Sequence, residues 1–424
     1  MANKHERRQF LKGGAVALGL VAAGIKSAPG QLPQQKYETD VASSLSPAGP
    51  PVYGVRSHYE TVTRAAPVKG KPFDSYRTPL HLQRGIITPS ALHYYVGHGS
   101  PVPDINPEEH RLMIHGMVDR PVVLTMDEIK TLPFVSRILF LQCAGQNYGM
   151  AYQRKPGGVK TVQQTHGDTS CSEWAGVAFS TLMRQVSPQK GANWLVAEGA
   201  EWKKHAASIP FEKAMDEAIV AYNQNGEAIR PENGYPLRLI LPGVEGMRNV
   251  RWLRRLYITD RPTMNAWEIN PYSQLRPDGK TRWFDWDMEP NSVITFPSGE
   301  QQIPGPGDYI ITGLAWTGTG AIGKVQVSTD GAKTWQDASL HDPVLPKAHT
   351  QFSFPWRWEG KETIIQSRSI DEWGNVQPTK VETEKMWNVG PDFFGKMNQA
   401  FPHYYASQPW RIGPDGKVSN AMWD

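Results

Sequence analysis

Apolar and polar positions set two textures along the chain. Up to about residue 265, strand-like and helix-like periods alternate. HRLMIHG (110–116) and RPVVLT (120–125) predict a hairpin turning at Met117-Val118-Asp119. Thr125 with Glu128 three residues on predicts an N-cap and a short helix. RILFLQ (137–142) predicts a hydrophobic strand running into Cys143-Ala144-Gly145. Ser172-Glu173-Trp174 reads as a second capped start, with a helix over Val177 to Val186. FEKAMDEAIV (211–220) has helical spacing, and PLRLIL (236–241) predicts a strand stopping at Pro242-Gly243. Thr88-Pro89 is a further capping signal before the aromatic run that ends at Gly99.

Beyond residue 265 strands dominate: 291–296, 309–315, 322–328 and 361–368. VQVSTDGAKTW (325–335) and KETIIQSRSID (361–371) alternate with period two. Turn signals stand between strands at Pro306-Gly307, Asp330-Gly331, Glu359-Gly360 and Gly374-Asn375. Closely spaced short strands with such turns predict a β-sandwich. The fold class is therefore α+β: a mixed α/β domain over 78–265, then a β-sandwich with a C-terminal extension over 266–424.

Composition narrows the class. With 39 glycines and 35 prolines in 424 residues, a long helical bundle is excluded. The formal charge is only +4, and no basic stripe carries interleaved aromatics, so nucleic acid is not an expected partner. Two cysteines, Cys143 and Cys171, exclude a disulfide scaffold and a CxxCH haem site; one disulfide, buried thiols and metal ligation all stay open.

The N-terminus has its own character. MANKHERRQFLKGG is basic, and Ala15 to Ile25 is apolar but too short to span a bilayer. Arg7-Arg8 with Phe10-Leu11-Lys12 reads as a twin-arginine export signal over 1–28, which points to the bacterial periplasm. Residues 29–77, rich in Pro, Ser, Gly and Gln, read as an extended arm. No other stretch is apolar enough to cross a membrane as a helix.

Cys143 is the leading chemical candidate. A thiol at a strand end, followed by Ala and Gly, is placed to ligate a soft or high-valent metal, although lone cysteines more commonly pack. There is no HExxH and no GxSxG. The GxGxxG at Gly318 to Gly323 has no helix after it, so a Gly-rich turn is the better reading.

FLQCAG around Cys143, SEWAGVAFSTLM from Ser172, NGYPLRLILPGVEGMRNVRWLRRL from Asn233 and GLAWTGTGAIGKVQVSTDGAKTW from Gly313 together resemble the sulfite oxidase family of molybdenum enzymes. Within it, SCSEWAGV, NSVITFPS and FPWRWEGKETIIQSRSIDEWGNVQP are similar to the molybdenum subunits of bacterial sulfur-oxidising systems. The resemblance covers about 78–420. It implies a molybdopterin-binding catalytic domain of sulfite oxidase fold, followed by an immunoglobulin-like dimerisation domain. It implies molybdenum carried by one molybdopterin, with Cys143 as the protein's metal ligand.

The resemblance also implies the remaining site residues. Tyr94, His98, Lys160, His205, Ser208, Asn233, Arg238, Arg248, Asn249 and Arg251 fall at or near cofactor-binding positions, and Trp174 lines or supports the pocket. Two family arginines are missing, with Gly97 and Tyr148 in their places. Arg411 is the candidate to restore one of those cations at the substrate. Asp168 and His166 are expected in a solvent loop, and Cys171 in packing.

The implied activity is oxidation of carrier-bound sulfane sulfur in thiosulfate oxidation, with electrons passing to a c-type cytochrome subunit. The implied partners are that cytochrome, a sulfur-carrier protein and a second copy of the chain, as a homodimer through the sandwich or a heterotetramer with the cytochrome. A stand-alone periplasmic sulfite dehydrogenase, a methionine sulfoxide reductase and a non-catalytic exported β-sandwich module are the alternatives.

Overall fold

The structure, a computed structural model, describes residues 57, 59–65, 75–97, 99, 101–146, 159–270, 272–283, 286–391, 393–396 and 404–423. The export signal, most of the arm, His98 and Tyr148 lie outside them. Val62–Asp424 form one compact unit.

In chain order the first module holds β1 (Ser75–Tyr76), β2 (Tyr95–Val96), β3 (Arg111–Gly116), β4 (Val122–Thr125), α1 (Met126–Lys130), β5 (Phe134–Gln142), α2 (Val162–His166), β6 (Thr169–Ala178), α3 (Phe179–Val186), β7 (Trp194–Gly199), β8 (Ala206–Pro210), α4 (Phe211–Glu217), β9 (Ile219–Gln224), β10 (Glu227–Ala228), β11 (Arg238–Ile240), β12 (Leu253–Thr259) and α5 (Ala266–Ile269). The hairpin β13 (Gln274–Leu275) and β14 (Thr281–Arg282) leads to β15 (Asn291–Phe296), β16 (Gly307–Trp316), β17 (Ile322–Ser328), β18 (Gln336–Asp337), β19 (Ser339–Leu340), β20 (Thr350–Trp358), β21 (Thr363–Asp371), α6 (Lys380–Trp387), α7 (Phe393–Lys396), β22 (Trp410–Ile412) and β23 (Val418–Asn420).

Two five-stranded sheets build the first module. One runs β10-β9-β6-β5 with β11 also on β9, and the other runs β4-β3-β12-β7-β8. The predicted hairpin is β3–β4. α1 begins at a reciprocal cap: Glu128 N–H donates to Thr125 Oγ1 (3.2 Å) and Thr125 N–H to Glu128 Oε2 (2.8 Å). The second module is a sandwich of β15-β16-β20-β19 and β18-β17-β21-β22-β23, as the spacing of short strands predicts. The Gly-rich turn reading of the GxGxxG segment also holds. β17 follows directly, and a Cβ on Gly318 would lie 2.1 Å from the Gly243 carbonyl oxygen, so the two loops meet backbone to backbone.

Two expectations fail locally. Ser172-Glu173-Trp174 lie inside β6, and the helix begins only at Phe179. Pairing on both sides, with β5 and β9, overrides the local cap signal, and Ser172 Oγ accepts from Gln224 Nε2 (3.0 Å) instead. The helix predicted to Val220 stops at Glu217, because Ile219 and Val220 join β9.

β5 is buried on both faces toward its end. Leu139, Leu141 and Cys143 pack with Trp174 and Ile240 on one side, while Phe140 packs into the sandwich core with Cys171 and Trp316 on the other. Cys143 and Cys171 are not joined by a disulfide and lie on opposite sides of this sheet. Burial pushes the Cys171 thiol up to about 12, and it accepts from His349 N–H at 3.5 Å. The modules are bolted together here. Trp316 Nε1–H donates to Gln142 Oε1 (2.6 Å), Phe140 N–H donates to the Lys347 carbonyl (2.9 Å), and Thr169 Oγ1 meets His349 Nε2 (3.1 Å).

His166 and Asp168, expected in solvent, are buried at this junction. Asp168 is ion-paired with Arg77 (Nε–Oδ1 3.3 Å), both almost fully inaccessible, and its carbonyl accepts from Cys143 N–H (2.9 Å). Removing one partner leaves a buried charge uncompensated, so Arg77→Met is expected to cost about 3–5 kcal/mol in urea unfolding.

Burial lowers both His166 and His349 from 6.5 to about 3, with Arg77 adding to the effect at His166. A depressed histidine is neutral in the folded chain while the unfolded chain protonates near pH 6.5. The stability it contributes is therefore present above pH 6.5 and lost as pH falls toward 3. Each should contribute a slope of about 1.4 kcal/mol per pH unit in that window. Urea unfolding between those limits measures the slope, and His349→Gln should flatten it by one such increment.

Candidate active site

The period-two alternation of β5 turns Cys143 to the sheet face opposite the sandwich. There it lines a cleft of about 700 Å³, mouth included. Gly145 N–H donates to its Sγ at 3.3 Å, so the turn after the strand holds the sulfur from behind.

The cleft's deepest cation is Arg238, at the start of β11 and 4% exposed. Its Nε donates to the Asn249 carbonyl (3.2 Å) and Nη1 to the Asn233 carbonyl (2.8 Å), and its guanidinium lies 5.2 Å over the Trp174 ring. No carboxylate among the described residues pairs with it. Burial lowers its pKa to about 9, which still leaves it charged at neutral pH. A buried cation met by carbonyl dipoles and a ring face, with no carboxylate, is suited to receive an anion.

Arg251 flanks it. Its Nη1 donates to the Glu232 carbonyl (3.0 Å) and Nη2 to the Val96 carbonyl (2.7 Å), and its head lies over Tyr95 and Trp252. The next wall comes from the β7–β8 loop. His205 Nε2–H donates to the Met247 carbonyl (2.7 Å), and burial holds the ring neutral, near 4. Glu201 Oε1 accepts from His205 N–H (3.1 Å), and burial raises its carboxyl above the usual range. Asn249 locks the 243–249 loop by accepting from Leu241 N–H (2.7 Å) and donating to the Glu245 carbonyl (3.2 Å). Gly246 is required there, because a Cβ would lie 2.6 Å from Tyr94 Oη.

Residues 98–267 match the oxidoreductase molybdopterin binding domain, and 282–403 match the Mo-co oxidoreductase dimerisation domain. The chain is 37% identical to the sulfane dehydrogenase SoxCD from Paracoccus pantotrophus, whose crystal structure it matches with a TM-score of 0.80 over 88% of this chain and 95% of that one. The chain belongs to the sulfite oxidase family of molybdenum enzymes. It is 30% identical to the mitochondrial sulfite oxidases of Rattus norvegicus and Homo sapiens over 75% of its length, and 32% identical to nitrate reductase (NADH) 1 of Nicotiana tabacum over 78%. It spans 62% of the length of those sulfite oxidases and 41% of that nitrate reductase.

The residues present fit the family's cofactor. A thiol faces the cleft beside two arginines, and no group of three or more His, Cys, Asp or Glu among the described residues can hold a metal alone. A metal here needs most of its ligands from a bound group, and Arg238 offers that group's anionic end a charge-assisted donor.

The structure brings Tyr94, Cys143, His205, Asn233, Arg238, Asn249 and Arg251 to this one cleft. It sets the other sequence candidates elsewhere. Trp174 is fully buried behind Arg238 as the surface on which that cation rests, outside the cleft lining. Ser208 is engaged by Glu268, which accepts from its Oγ (3.1 Å) and N–H (2.5 Å). Arg248 is buried beside Glu245 (3.5 Å) and over Trp286. Lys160 is exposed and pairs with Glu300 (3.6 Å). Arg411 sits on β22 of the sandwich near Glu362 (3.7 Å), outside the cleft lining. It therefore does not replace the cation absent at Gly97, which does line the cleft.

Sequence reasoning passed over His93, Glu201, Lys203, Trp267 and Tyr272, all of which line it. His93, Glu201 and Lys203 carried a usable signal, their closeness in the chain to Tyr94 and to His205.

A buried cation without a carboxylate is a local cost to the folded chain, retained for binding. Cofactor-free Arg238→Met should melt at or above the parent, while its retention of the molybdenum pterin should fall about ten- to a hundredfold. Calorimetry and pterin assay after gel filtration read the two effects separately.

Proposed function

We propose that the chain is a periplasmic, molybdenum-dependent sulfur oxidoreductase exported by the twin-arginine route. It oxidises sulfane sulfur held on a carrier protein and passes electrons to a c-type cytochrome subunit. One observation carries the reading: a rigidly held thiol, Cys143, facing a cleft whose deepest cation has no carboxylate partner among the described residues. The likeness to a sulfane dehydrogenase supports the substrate class, and the dimerisation-domain match supports a homodimer.

When bound, a molybdenum pterin supplies two-electron oxygen-atom transfer. The chain's own residues hold and orient it. Cys143 would ligate the metal, and the Gly145 N–H near its sulfur withdraws electron density from the thiolate. Arg238 and Arg251 would hold the anionic end, each fixed by two carbonyl bonds. Neutral His205 braces the Met247 carbonyl, and buried Tyr94 stays protonated because burial raises its phenol well above the usual range.

Gly97 leaves the cleft with one cation fewer than the family pattern. A site poorer in cations selects less strongly for a small free dianion and suits a sulfur centre attached to a larger partner. The oxidised sulfur gains its oxygen from water and releases two electrons and two protons. Cys143 and Cys171 stand far apart in the sequence and form no CxxCH, so in this reading a c-type haem on a separate subunit is the electron acceptor.

The test joins metal and pterin analysis to turnover with thiosulfate plus carrier protein, and with sulfite alone. The parent should contain molybdenum and turn over only with the carrier, with cytochrome c as acceptor. Cys143→Ser should fold but lose turnover. Sulfite oxidation without a carrier would favour the stand-alone sulfite dehydrogenase, and a metal-free parent would overturn the enzyme reading.

A further inference from the structure

His93 lies in the aromatic run that ends at Gly99 but is not among the site candidates above, and its imidazole lines the cleft while being 1% exposed. It follows a single helical turn, Ser90–Leu92. Two aromatic neighbours fix its plane. The ring stacks on Tyr94 (centroids 5.0 Å, 23°) and meets Trp174 edge-on (5.9 Å, 84°). Trp174 also carries Arg238, so His93 and that cation share one support.

The tautomer follows from its contacts. Nδ1 lies 2.9 Å from the Tyr94 carbonyl oxygen. A carbonyl only accepts, so Nδ1 carries the hydrogen and Nε2 presents a lone pair. That Nε2 is buried and meets no donor among the described residues. Burial, followed by Arg238, holds the ring near 3, so the imidazole stays neutral at ordinary pH and Nε2 stays an acceptor. A buried acceptor left unmet costs about 1–3 kcal/mol.

The cleft therefore presents two complementary features on one wall. Arg238 and Arg251 have only donors, which suit the oxygens of an anionic group. His93 Nε2 is an acceptor, which no phosphate dianion can satisfy and which an N–H on a heterocycle can. The geometry points to His93 as a cofactor-binding residue, its Nε2 accepting a hydrogen bond from a ring N–H of the pterin. This rests on the molybdenum pterin reading of the cleft. It divides the cofactor between two kinds of group: arginines for the charged end, a neutral histidine for the ring.

The test compares parent, His93→Phe and His93→Gln proteins made in a host that synthesises the molybdenum pterin. Phe keeps the stacking on Tyr94 and removes the acceptor; Gln restores an acceptor. Pterin and molybdenum per chain are measured through successive gel filtrations, and cofactor-free preparations are melted in parallel. His93→Phe should lose pterin about three- to tenfold faster than the parent, the effect of one neutral hydrogen bond. His93→Gln should fall between them, and cofactor-free His93→Phe, which no longer buries an unmet acceptor, should melt at or above the parent. Equal retention in all three proteins overturns the assignment, and so does equal retention with a raised KM, which would move the donor to the substrate. A lower melting point for cofactor-free His93→Phe with parent-like retention makes the residue a packing element and also overturns it. A parent that carries no pterin removes the functional reading first, and the assignment with it.

Discussion

Strand β5 is confined on both faces, and the site depends on that confinement. Leu139 and Leu141 fill the space under the cleft, while Phe140 and Gln142 are claimed by the sandwich. With side chains alternating, the next residue, Cys143, has only the cleft face left. A slip of one residue would bury the thiol against Trp316 and turn Gln142 toward the cleft. The Trp316–Gln142 bond, one residue from the thiol, and the Asp168 carbonyl on Cys143 N–H both oppose such a slip. The sandwich thus acts on the chemistry from behind the catalytic sheet.

The second constraint is electrostatic. The cleft holds Arg238 with no carboxylate partner among the described residues, while the junction behind it holds Arg77 and Asp168 as a closed pair. The contrast separates their roles. A cation whose charge is matched inside the chain serves the fold. One whose charge meets carbonyl dipoles and a ring face but no carboxylate is held for a ligand, at some cost to the unliganded protein. Neutral His205 and His93 fit beside such cations because burial and positive neighbours both oppose their protonation.

Much of this was legible in the residues. Period-two alternation located β17 and β21, short runs between turn signals located β15 and β16, and together they located the sandwich. The Thr125–Glu128 cap located α1. The run RILFLQ ending at Cys143 located the thiol at a strand end, and the arginines after Asn233 located Arg238 and Arg251. These are local signals, carried by spacing within a few residues. The failures are equally physical. Ser172-Glu173-Trp174 looked like a helix start because a capping pattern is local, whereas the two strands that hold it in β6 come from distant parts of the chain. Ser208 looked available because a sequence does not show Glu268, sixty residues on, as its partner, whereas Glu245 stands only three residues before Arg248. Arg411 was assigned by the need for a cation, and strand pairing with β21 set it in the sandwich.

Sequence alone thus determined the strand and turn content, the two-module order, the thiol at the end of β5 and the family to which these motifs point. Tertiary structure decided which polar groups face one another across the cleft. Only packing could leave Arg238 without a carboxylate, bury Asp168 against Arg77, and leave His93 Nε2 buried and unmet in a residue that lines the cleft. The reason is that charge compensation and hydrogen-bond satisfaction are properties of neighbours in space. In this chain several such neighbours come from segments more than a hundred residues apart: Ser90 and Asn233, Val96 and Arg251, Gln142 and Trp316.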